Sequence, residues 1–205
     1  MTRRFALLMA FSLCPLVSTA AEPAEWPKWV GSSRELAMQF GAELKGELSR
    51  AIEQGGAVAA IPVCKDRAPA IAARLSGQSG AKVSRTALRV RNPSNAPDEL
   101  QRAVLEQFAE QLAAAPAGAA AAGGPPEAVF EIKGANGIER RYMRAIPTDA
   151  LCLTCHGATL APELAAAITR DYPADAATGF AQGQLRGAFS VIWPAAAVTA
   201  TPSNP

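Results

Sequence analysis

Residues 128–146 read Ala128-Val-Phe-Glu-Ile-Lys133, Gly134-Ala-Asn-Gly137 and Ile138-Glu-Arg-Arg-Tyr-Met-Arg-Ala-Ile146: two β-prone runs flanking four turn-forming residues. Glycine supplies the backbone freedom a tight reversal needs, so the stretch is an antiparallel hairpin. Outward from it, Arg186-Gly-Ala-Phe-Ser-Val-Ile-Trp-Pro194 reads as a last strand. Lys82-Val-Ser-Arg-Thr-Ala-Leu-Arg-Val90 alternates, with Thr86, Leu88 and Val90 on one side and Arg85, Ala87 and Arg89 on the other. The remaining periodic stretches are helical. Ser32 to Gly56 has Ser32-x-x-Glu35 as a capping box, an apolar stripe of Leu36, Phe40, Leu44, Leu48 and Ile52, and Gly55-Gly56 as its stop. Residues 57–77 carry a second apolar stripe that includes Cys64, interrupted by Pro62 and Pro69, which predicts two short helices or a kinked one. In 91–112 Asn95 is the expected cap, with Pro97 in the first turn of a helix. Residues 162–172 form another helix, and the Ala/Gly/Pro-rich 113–126 segment is a loop. Helices and antiparallel strands in one domain, 32–194, make the fold class α+β.

The ends of the chain set the compartment. Arg3 and Arg4 precede an apolar run from Phe5 to about Val17 and a small-residue site, Ser18-Thr19-Ala20. This is the pattern of a cleaved signal peptide over 1–20, and the run is shorter than the roughly 20 apolar residues of a membrane span. Without Arg3 and Arg4, the 20 Lys and Arg become 18 against 18 Asp and Glu, so the exported chain is near neutral. That balance offers no footing for nucleic acid or an anionic membrane, and no membrane span is expected after leader removal. Residues 195–205 read as a flexible tail.

Export leaves Cys64, Cys152 and Cys155, an odd number for a disulfide scaffold. Cys152-Leu-Thr-Cys155-His156 follows the hairpin and holds the chain's one histidine. C-x-x-C-H is the attachment spacing for haem c: two thiols add to the two vinyl groups, and the adjacent histidine falls on the iron. One covalent haem c is therefore the expected cofactor. A Cys3His zinc site of Cys64, Cys152, Cys155 and His156 would need sequence neighbours 155 and 156 on one tetrahedral ion, which is strained. A Cys152–Cys155 disulfide would leave Cys64 unexplained. Cys64 itself reads either as a small buried hydrophobe or as the axial ligand opposite His156, in competition with Met143, Met38 or an open site. Arg85, Arg89 and Arg91 read as a solvated strand face, or with Arg85 and Arg91 as partners of the haem propionates. Asn92 and Asn95 are turn and cap residues, and Tyr142 is assigned to the core rather than to the haem surroundings.

The ordered blocks AIPVCKDRAPAIA, SRTALRVRNPSNAPDEL, RYMRAI, CLTCHG and QLRGAFSV, spanning 36–194, resemble the PAS-like exported c-type haem domain family. The resemblance implies a PAS-like antiparallel sheet with flanking helices, covalent haem at Cys152 and Cys155, His156 as proximal ligand and Cys64 as the second. It implies a redox or small-ligand sensor working with a separate signalling or redox partner protein; a periplasmic mono-haem electron carrier is the alternative. An enzyme is not expected, because peroxidase-like chemistry needs distal acid/base groups and the only histidine is already proximal.

Overall fold

The computed structural model describes residues 26–115 and 124–195. The expected signal peptide, the tail from 196 onward and the middle of the 113–126 loop lie outside the described residues. Helix α1 (Lys28–Ala59) is followed by a π-helical turn (Val63–Arg67), α2 (Ala68–Ser79), β1 (Lys82–Thr86), a 3-10 turn (Pro93–Asn95) and α3 (Glu99–Ala114). The hairpin β2 (Glu127–Gly134) and β3 (Gly137–Pro147) comes next, then α4 (Ala150–His156), α5 (Pro162–Asp171) and β4 (Leu185–Trp193). The strands form one antiparallel sheet in the order β1-β4-β3-β2. The fold is thus α+β with a long N-terminal helix, and no helix among the described residues is long and apolar enough to cross a membrane.

Strand alternation sorts the core into two layers. On one face Tyr142, Val191 and Trp193 meet Val30 and Ala37 of α1, while Phe40, Leu44, Ile71, Leu75 and Val83 join α1, α2 and β1. On the other, Met143, Ala145 and Ala188 pack on Val104, Leu105 and Phe108 of α3.

Several local expectations are corrected. No capping box forms at Ser32 and Glu35, because the helix begins four residues earlier behind Pro27. Ser33 faces inward, donating to the Trp29 carbonyl at 2.7 Å and accepting from Trp193 Nε1 at 2.8 Å, and this docking carries the helix start upstream. The glycine stop is a break: Gly56 takes φ 75°, after which one more helical turn leads to Pro62. Strand β1 ends at Thr86, not Val90, because the Ala87 amide and the Thr86 hydroxyl turn to the Asn95 carbonyl. Asp98, not Asn95, caps α3 in a reciprocal capping box with Gln101, which leaves Pro97 outside the helix. Asn92 holds the preceding turn by accepting from the Ser94 amide. The loop at 113–126 begins later than expected, since α3 runs through Ala114.

Candidate functional site

The C-x-x-C-H segment is short helix α4, started by Asp149, whose carboxylate accepts from the Cys152 amide at 3.1 Å. One helical turn puts Cys152, Cys155 and His156 beside a cavity of about 450 Å³ between α1, the π turn, β1 and β4. Cys64, from the π turn, lines the same cavity, so four residues read separately in the sequence meet in one place. Pro62 at the head of the turn and Pro69 early in α2 interrupt the ordinary helical ladder around Cys64. Single π turns of this kind recur at functional positions in helices.

Among the described residues Cys64, Cys152 and Cys155 form no disulfide, and burial pushes Cys152 and Cys155 above the usual thiol range. Among the described residues no group of three or more His, Cys, Asp or Glu side chains is placed to hold a metal ion.

His156 is the most tightly placed member. Its Nδ1 lies 2.6 Å from the Ala177 carbonyl, which can only accept, so Nδ1 carries the proton and Nε2 keeps its lone pair. Burial, together with Arg186 and Arg91, pushes its pKa down to about 2 and keeps the ring neutral. The Ala177 carbonyl belongs to a strap, residues 175–180, that sequence reading missed. Phe180 and Gly179 donate backbone bonds to the carbonyls of His156 and Gly157, each at 2.9 Å, and the Ala176 amide donates to Val90 at 2.9 Å. Arg91 ties strap to motif: one terminal nitrogen reaches Cys155 O at 2.7 Å and Asp175 at 2.9 Å, with both partners of the ion pair about nine-tenths buried.

Four guanidinium groups, Arg85, Arg91, Arg144 and Arg186, line the cavity, and Arg144 is paired with Glu127. Arg91 is neutralised by Asp175. Arg85 and Arg186 have no carboxylate partner among the described residues. Arg85 lies 5.6 Å from the Phe40 ring centroid, and burial lowers its pKa against a raising influence from Cys64. Burial, then Arg85 and Arg91, brings Arg186 down to about 10, and its Nε is buried without a hydrogen-bond partner. Arg186 was the signal available in QLRGAFSV but carried no periodicity that marked it. Arg89 instead points outward over Phe180 and donates to the Ala176 carbonyl at 3.0 Å.

The rival ligands part company here. Met143 is 2 % exposed among Val104, Leu105 and Phe108, on the sheet face away from the cavity, because its neighbours Tyr142 and Arg144 take the cavity side. Met38 sits at the cavity edge, 61 % exposed. Tyr142 packs in the core against α1, and burial raises its pKa to about 12.

A family model described as Tll0287-like matches residues 17–194. The crystal structure of the cyanobacterial haem protein Tll0287 superposes with a TM-score of 0.58 and 27 % identity, covering 82 % of this chain and 95 % of that one. No curated protein matches the chain.

Proposed function

The chain belongs to the Tll0287-like family, and from that membership and the lining of its cavity we propose that it is an exported haem-binding protein that carries one covalent haem c and acts as a redox or small-ligand sensor. The observation that carries the reading is the convergence of Cys64, Cys152, Cys155 and His156 on one cavity with two unneutralised guanidinium groups. The cavity volume falls within the roughly 300–1,000 Å³ of small-molecule and cofactor sites. Its apolar wall of Leu44, Leu48, Leu151 and Phe189 suits a porphyrin face, and its cations suit propionates.

In this assignment Cys152 and Cys155 are the thioether positions, the Nε2 of His156 is the proximal ligand and Cys64 the second. Arg85 and Arg186 pair with the propionates, while Arg91, given that role in the sequence reading, braces the motif through Asp175. When bound there, haem supplies a one-electron iron couple and a coordination position that can be exchanged. The sensor reading rests on Cys64, since a ligand on an irregular turn that can leave the iron is a switch. The PAS-like description, periplasmic location, separate partner protein and absence of enzymatic activity complete the proposal. The test is absorption and EPR spectroscopy of the matured protein, ferric and ferrous, with and without carbon monoxide, alongside haem staining of denatured protein. Covalent haem with a six-coordinate thiolate signature is the expected result; purified protein holding zinc and no haem rejects the proposal, and a methionine-type spectrum transfers it to the electron carrier.

A further inference from the structure

A second cavity, about 900 Å³, lies on the α3 side of the sheet end. Its wall is apolar, with Leu88, Ala109, Leu112, Pro147, Phe180 and Leu185, and its cations are Arg89 and Arg186. Neither arginine has a carboxylate partner among the described residues: Arg89 donates to the carbonyls of Ala176 and Thr178, and Arg186 to the Arg89 carbonyl at 3.3 Å. A wall that sets two guanidinium groups without carboxylate partners against apolar side chains is suited to an organic anion. The wall toward the first cavity is thin, because Pro147, Asp149, Arg186 and Gly187 face both.

We propose that this second cavity binds a small organic carboxylate with an apolar body, its carboxylate held by Arg89 and Arg186. The apolar wall takes the hydrocarbon part, which distinguishes such a ligand from inorganic phosphate. Because Arg186 is shared with the cavity assigned to haem, the anion partly neutralises a cation that otherwise favours the reduced iron. The bound carboxylate thus favours the ferric state. The site stands without the haem reading; only this coupling rests on it.

Hexanoate is the probe, with 1-hexanol and phosphate as controls, titrated calorimetrically into the haem-loaded protein. Hexanoate should bind saturably with both controls at least tenfold weaker. Ala109→Phe, which fills the groove from α3 and replaces no residue assigned to haem, should abolish that binding and leave the haem spectrum as it was. About tenfold tighter binding to the ferric form is expected, which by reciprocity lowers the midpoint potential by ~59 mV. No saturable hexanoate binding, equal binding of hexanol, or binding untouched by Ala109→Phe overturns the site. Equal affinity in both oxidation states overturns the coupling. Haem-loaded protein that ignores hexanoate defeats this inference alone, whereas exported, matured protein that carries no haem yet binds hexanoate defeats the haem reading alone.

Discussion

The two sides of the cavity are built to different standards. Around His156 the chain uses a buried ion pair, a backbone strap and a 2.6 Å bond that fixes the imidazole tautomer. Around Cys64 the turn is π-helical, and the ion pairs that flank it, Lys65–Asp171 at 3.2 Å and Arg67–Glu47 at 2.8 Å, are open to water, with Lys65 48 % and Arg67 57 % exposed. Exposed pairs of this kind contribute little and weaken in salt, whereas a buried pair is destabilising to break. Under the proposed haem reading the difference is a division of labour: His156 is anchored, and Cys64 is held loosely enough to leave.

The comparison breaks most completely if the anchor is removed. Cys152→Ser with Cys155→Ser should leave no haem-staining band after denaturation, against full staining of the wild type. Next in size is the brace. Arg91→Gln strands Asp175 and unties Cys155 O from the strap, and losing one partner of a buried pair costs about 3–5 kcal/mol. Urea unfolding should show that loss, with a poor yield of haem-loaded protein. A loss under 1 kcal/mol would mean that the strap is held without Arg91.

The loose side should answer differently, with a change in ligation and little in stability. Cys64→Ala should open the iron to carbon monoxide. Cys64→Met should raise the potential, because an anionic sulfur favours the ferric state more than a thioether does; each ~59 mV is a tenfold change in the one-electron equilibrium. Met143→Leu, on the opposite sheet face, should leave the ferric spectrum unchanged. A ferric spectrum that responds to Met143→Leu and ignores Cys64→Ala would reverse the assignment of the second ligand.

What the sequence made legible follows from range. C-x-x-C-H is written in five consecutive residues, and the hairpin in alternation around glycines, so both could be read locally; helical and alternating stretches in one domain made the class α+β, and the family blocks added the sheet with its flanking helices. The brace could not be read this way. Arg91 meets Cys155 and Asp175 across 64 and 84 positions, and residues 175–180 have neither period nor motif. Arg186 looked like an ordinary strand residue until β4 placed it between two cavities. Pro62 and Pro69 announced an interruption but not its form, since a kink and a π turn satisfy the same missing donors. Ser32 and Asn95 matched capping patterns, yet tertiary contacts of Ser33 and the reciprocal Asp98–Gln101 pair moved both helix starts. The parity of β3 alone could have set Met143 apart from the cavity side, because Tyr142 and Arg144 flank it.

The smallest effect tests how loosely Cys64 is held. Arg67 holds the Glu47 carboxylate below its usual range, and Arg170 with Lys65 does the same for Asp171. A depressed folded-state pKa means that each pair's contribution is present above the unfolded value, about 4.3 for Glu and 3.9 for Asp, and is lost as the pH falls through the folded value. The π turn should therefore keep its ties at neutral pH and loosen below about pH 4. At neutral pH, 1 M salt shortens the screening length to about 3 Å and should loosen the same ties without protonating anything. Stopped-flow mixing of the ferrous protein with carbon monoxide reads the loosening as a faster binding rate, since the gas must wait for Cys64 to leave. Glu47→Gln should mimic the salt effect in part, raising the rate by a small factor and making it less sensitive to added salt, with the His156-side spectrum and the urea midpoint nearly unchanged. A rate indifferent to salt, acid and Glu47→Gln alike would show that the turn is held by its packing on α1 and α2, and the contrast between the two sides would then lie in the π geometry alone.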